Sequence, residues 1–128
     1  MWRGKPLIIH EVEYEYPAEL YWPEWRKAFI DILDVETFKG EKWETKNIRL
    51  IERFSHTPRS VSALVEIAEG LVACIGDAAI VKEDYFEFRE PMIATKNISG
   101  ATAVESLKRI AGYKPVLVIP SHDASFKP

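Results

Sequence analysis

Cysteine, histidine and long apolar runs are all scarce in this chain of 128 residues. The single cysteine, Cys74, excludes an internal disulfide and suits a reducing compartment. Within Leu71-Val72-Ala73-Cys74-Ile75 it reads as a buried structural thiol that packs as a small hydrophobe. No apolar run approaches the roughly 20 residues that span a bilayer, so no membrane helix is expected. The first apolar stretch, Leu7 to Val12, is broken by His10 and Glu11 and is too short for the core of a secretory leader. The expected location is therefore cytoplasmic. Acid outweighs base, with a formal charge of -3 and a pI near 5.7, which excludes the clustered basic face of a nucleic-acid binder. The only histidines are His10, His56 and His122, and no two lie closer than 46 residues, so no local H-x-H clamp exists. Internal repeats and low-complexity tracts are absent as well.

What is present suits an ordinary globular domain. Hydrophobic residues make up 47% and charged residues 29% of the chain, enough for one core without staples. Residues 1–128 read as one domain. Pro6 to Ile9 is a short apolar strand, followed by an aromatic and glutamate-rich segment from Glu11 to Trp22. Pro23 opens a helix with Trp25, Phe29, Ile32 and Leu33 on one stripe. From Asp34 to Asn47 the pattern dissolves into loop.

The second half changes character. Asn47 to Phe54 alternates, with Ile48, Leu50 and Phe54 on one face. Val61 to Ala68 alternates too, with Val61, Ala63, Val65 and Ile67 on its apolar side. Glu69-Gly70 links it to the apolar strand Leu71–Ile75 as a hairpin. Residues 81 to 98 read as irregular. Ser99 then caps a helix turning Val104, Leu107, Ile110 and Ala111 inward, closed by Gly112 at its C-terminal cap. Pro115 to Ile119 is the last strand. The order β-α-β-β-β-α-β places the chain in the α/β or α+β class, helices on a small mixed sheet.

Three short segments carry the chemistry. Phe54-Ser55-His56-Thr57-Pro58-Arg59-Ser60, Ile75-Gly76-Asp77-Ala78 and Ile119-Pro120-Ser121-His122-Asp123 each set one metal-ligand side chain at a strand exit. Such exits converge on one edge of a sheet, where loops carry function. Imidazole with carboxylate suits Zn²⁺, Fe²⁺ or Mn²⁺. Equally, a histidine near a strand end can be an ordinary hydrogen-bonded residue. Spacing alone leaves both readings open.

The words around these residues resemble the C-terminal half of the metallo-β-lactamase superfamily. His56-Thr57-Pro58-x-Ser60 is similar to its GHTPGS motif, Gly76-Asp77 to its GD, and Pro120-x-His122 to its PGH, with separations of 21 and 45 residues. Glu105-Ser106-Leu107-Lys108-Arg109-Ile110 resembles the family's "SL+RL" helix, and Leu7-Ile8-Ile9-His10-Glu11 its "V-x-x-H-E" strand. The resemblance implies half of an αββα sandwich. It also implies metal ligation by His56 and His122 with Asp77 bridging, and metal-hydroxide attack on an ester, lactone, thioester, amide or phosphodiester. The stretch after Asp77, with His122-Asp123, resembles the lactonase-like branch, although the tyrosine which that branch carries three residues after the aspartate is Ile80 here. Tyr85 reads as a packing aromatic.

The departures matter as much. The family's H-x-H-x-D-H is nowhere in the chain. Arg59 and Ser121 stand where the family has glycines, and Arg59 would bring a cation towards a metal site. By the resemblance, a lone half leaves one sheet face apolar, which calls for a partner: a separately encoded N-terminal half, or a second copy in a two-fold homodimer. Tyr14, Tyr16, Tyr21, Trp22 and Trp25 would supply either that contact or plain core. The expectation is a hydrolase-like protein with an incomplete site, inactive unless completed by a partner or dimer, either holding zinc, iron or manganese or free of metal, with Asp77 its one catalytic candidate. A non-catalytic interaction or structural remnant is the alternative, as is a reading frame that starts upstream of Met1.

Overall fold

Seven strands and three helices can be described in the computed structural model, which covers residues 5–15, 33–54, 57, 59–90 and 100–128. The expected helix from Pro23, the helix cap Ser99 and the site candidate His56 lie outside these residues, as do Tyr16, Tyr21, Trp22 and Trp25. In chain order the elements are β1 (Leu7–His10), α1 (Glu11–Glu15), β2 (Val35–Phe38), β3 (Glu41–Thr45), β4 (Ile48–Arg53), β5 (Ser60–Ile67), β6 (Gly70–Gly76), α2 (Lys82–Glu87), α3 (Gly100–Gly112) and β7 (Leu117–Pro120). Strands β3 to β7 form one mixed sheet in sequence order, antiparallel except for the parallel β6–β7 pair, and β1 pairs with β2 in parallel. Among the described residues, no helix is long and apolar enough to cross a membrane.

Three elements replace what the sequence reads as loop. β2 is short and forms because β1 offers it a parallel edge, Leu7 to His10 against Val35 to Phe38. β3 carries almost no apolar pattern, since it is the outer edge of the five-stranded sheet and only its Lys42 is half-buried. Charge on an edge strand discourages pairing with another chain. Thr45 sets the turn into β4, its hydroxyl accepting both the Asn47 and Ile48 N–H groups at 3.1 Å. α2 is built around Asp84, whose carboxylate accepts the N–H groups of Ile80 and Val81 at 3.1 Å, with Tyr85 as the buried anchor.

The main core lies between α3, α2 and one face of the sheet: Ile51, Leu64, Ala73, Ile75, Ala79, Tyr85, Leu107, Ile110 and Val118. This inverts the face expected for β4 and β5. The fully buried positions are Ile51 and Arg53 on β4 and Ser62 and Leu64 on β5, while Leu50, Val61, Ala63 and Val65 are half-buried and Ile67 is exposed. Alternation shows that a strand has two faces; the helices decide which is sealed. The second face is neither sealed nor bare over its described residues, and β1 comes against it through a hydrogen bond between His10 and Glu52. Within α3, Ala103 is buried in place of Val104. Its C-terminal left-handed residue is Lys114 (φ 53°), two residues beyond the expected Gly112.

The β5–β6 hairpin turns at Ala68-Glu69, with Gly70 at φ +134° as the first residue of β6. A Cβ there would sit 2.7 Å from the Val116 side chain. Gly70→Ala is therefore expected to cost about 2 kcal/mol, because backbone strain persists even if Val116 rotates. Gly112→Ala, with open space and no positive φ, is expected to be neutral or mildly stabilising. Thermal melts of the two variants check the contrast.

Candidate metal centre

Asp77 and His122 are brought together by the parallel pairing of β6 and β7. Gly76 pairs with Pro120, so the two strands end side by side and release their next residues on the same edge. Gly76 adopts φ +49°, and Ala78 N–H closes a tight turn on the Ile75 carbonyl at 3.1 Å, which points Asp77 out of the strand. His122 Nε2 lies 3.5 Å from Asp77 Oδ1. Ser121, which stands where the resembling motif has glycine, donates its hydroxyl hydrogen bond to that same Oδ1. Asp77 is about one-third exposed and His122 is well exposed.

The loop behind His122 is anchored rather than loose. Asp123 accepts the N–H groups of Lys82 at 3.0 Å and Ala124 at 2.7 Å, and these hydrogen bonds hold its carboxyl below the usual range. Since Lys82 begins α2, the segments after β6 and after β7 are tied to each other. That tie sets the position of His122 relative to Asp77. Phe54, at the exit of β4, is held by its N–H to the Ser106 hydroxyl of α3 at 3.0 Å.

The donor pair fits one metal ion in spacing. Two ligands about 2.0–2.1 Å from a tetrahedral ion are roughly 3.3 Å apart, close to the observed 3.5 Å. The pair is incomplete in number: among the described residues, no group of three or more His, Cys, Asp or Glu side chains could hold a metal.

A buried cation also approaches this site, Arg53. The Arg59 guanidinium stacks over the Phe54 ring at 3.8 Å and reaches Glu52 at 3.7 Å, and its N–H donates to Glu13 at 2.6 Å. Arg53 is 5% exposed and points into the sealed face of the sheet, where its Nε donates to the Ser62 hydroxyl at 2.8 Å. Its Nη2 lies 3.3 Å from the position of a Cβ on Gly76. Burial lowers the guanidinium to about 10, and the charges of Asp77 and Glu13 pull it back upward, so it stays cationic at neutral pH. Sequence reasoning missed it. The available signal was a charged residue two positions beyond Ile51, on the same side of the strand.

The remaining candidates are structural. Tyr85 packs edge-on against Phe86 and Phe126 in the core, as the sequence suggests, and burial raises its phenol. Cys74 is half-buried and free, its thiol raised by burial. His10 is another buried polar residue, 1% exposed. Its Nδ1 accepts the Val12 N–H at 3.2 Å, so Nε2 carries the proton donated to Glu52 at 2.7 Å.

No protein-family model matches the sequence, and a search of curated proteins finds no match. Solved structures do match. An N-acyl homoserine lactone hydrolase, solved with N-hexanoyl-L-homoserine at its catalytic metal centre, is 25% identical with a TM-score of 0.71. The match covers 92% of this chain and 47% of that one. A protein from Thermotoga maritima described as a metallo-β-lactamase is 19% identical with a TM-score of 0.70, over 96% of this chain and 58% of its own. AidC, a dizinc quorum-quenching lactonase, is 15% identical with a TM-score of 0.58, over 91% and 47%. The chain thus spans about half the length of the structures it matches. It has the metallo-β-lactamase fold over about half its extent, the half that carries the His-Thr-Pro, Gly-Asp and Pro-Ser-His segments.

Proposed function

We propose that this chain is one half of a metal-dependent hydrolase and that it is inactive by itself. The observation that carries this reading is the placement of Asp77 and His122 on one sheet edge, 3.5 Å apart, in a fold half as long as the lactone hydrolases it matches. Asp77 Oδ1 and His122 Nε2 would hold the ion, zinc or else iron or manganese, with His56 as this half's further donor. When bound, such an ion supplies a nucleophilic water at neutral pH and polarises a carbonyl. Ser121 keeps Asp77 Oδ1 oriented, and Asp123 keeps His122 in reach of it. Ile80 offers no hydrogen-bond donor from its side chain, so an oxyanion on this edge needs another group. The ester or lactone class follows the matched structures, and the missing donors would come from a separately encoded half or a second copy. The one unpaired cysteine fits a cytoplasmic setting.

A non-catalytic interaction or structural role is the second reading, favoured by the buried Arg53 against Gly76, the residue before Asp77. Lactone and ester hydrolysis separates the two, measured with added zinc, iron or manganese. The chain alone is expected to give no turnover. Co-purified with a complementary half-fold that brings the H-x-H-x-D-H segment, it is expected to turn over substrate, and Asp77→Ala should abolish that activity. Turnover by the chain alone would overturn the half-site reading; a stable complex without turnover would favour the non-catalytic one.

A further inference from the structure

We propose that the Arg53 guanidinium is the built-in counter-cation of Asp77 and competes with a divalent metal ion for that carboxylate. The inference rests on the reading of Asp77 and His122 as a donor pair. From β4, Arg53 crosses beneath β5, bonds Ser62 on the way, and brings Nη2 against the backbone of Gly76, the residue immediately before Asp77. Gly76 makes room for this approach, since a side chain there would begin 3.3 Å from the guanidinium. A buried cation needs an anion nearby, and the anions acting on Arg53 are Asp77 and Glu13.

The electrostatic consequence is direct. Arg53 offsets the negative charge of Asp77. A divalent ion would then sit near a fixed cation that is itself buried, and like charges repel. Arg53 Nη1 is buried and has no hydrogen-bond partner among the described residues.

Zinc binding to the purified full chain, followed by equilibrium dialysis and calorimetry, tests this. Arg53→Gln keeps a polar group for Ser62 and removes the charge; Arg53→Lys keeps the charge. Arg53→Gln is expected to bind Zn²⁺ at least tenfold more tightly than the parent chain, Arg53→Lys to stay near the parent, and Asp77→Asn to erase the gain. If binding depends on Asp77 in both parent and Arg53→Gln but with equal affinity, the competition is overturned while the donor pair stands. If no Asp77-dependent zinc binding occurs in either, the donor pair falls and the proposal with it. Should Arg53→Gln fail to fold, the metal-free melt of Asp77→Asn decides: a lower melting temperature supports the counter-ion role, and an unchanged or higher one overturns it.

Discussion

Leu107→Ala is expected to lower the stability of the chain by about 3 kcal/mol, the middle of the range for emptying a closed core site. Leu107 is fully buried on α3, in the same cluster as Ile51, Leu64, Ile75 and Val118. The rigid sheet on one side and Tyr85 of α2 on another leave little room for collapse. For a chain of this length the loss corresponds to a fall of roughly 10 °C or more in melting temperature. Ile67→Ala is the matched control, since Ile67 is 45% exposed on β5 and should change stability by no more than about 0.5 kcal/mol. Equal effects at the two positions would contradict the packing of α3 on this face of the sheet.

The second large effect is at His10. Replacing it with alanine removes a buried ring, leaves Glu52 without its closest donor, and frees the Val12 N–H. A hydrogen bond to a charged group contributes about 1.5–3 kcal/mol, and the lost contact with Phe38 adds to that, so a loss of about 3 kcal/mol is expected. Glu52→Gln keeps a carbonyl oxygen for the Nε2 proton and should cost about 1 kcal/mol. Urea unfolding of both variants measures the difference. Similar losses would mean that charge, rather than the filled hydrogen-bond geometry, holds β1 to β4. The pair also bears on assembly, because it is the described side-chain hydrogen bond that brings β1 onto the second face of the sheet.

The legible part of the fold was the part dictated by local chemistry. The β5–β6 hairpin announces itself through two apolar runs and Glu69-Gly70, and α3 through Leu107 and Ile110 one turn apart. The last strand was legible for the same reason, although it runs Leu117–Pro120, shifted from the expected Pro115–Ile119. β2 and β3 were not legible. Their residues carry no periodic apolar signal, and they are strands because a neighbour offers backbone partners. α2 was hidden similarly, its start depending on a single aspartate side chain folding back on two N–H groups.

For the candidate site, the residue types and their order were readable in Gly76-Asp77 and Pro120-Ser121-His122, because strand exits are marked by glycine, proline and the end of an apolar run. Their convergence was not, since it depends on the parallel register of β6 against β7 over a separation of 45 residues. Nor was the identity of the nearby cation. Arg59 stands out in sequence because it lies three residues from His56, whereas Arg53 gives no such sign; only the pleat sends Arg53 into the sealed face and against Gly76. Composition and spacing alone settled which donors this chain owns and which it lacks. Only the tertiary structure decided which of them meet and which charge already stands beside them, because those are matters of register and of which sheet face the helices cover.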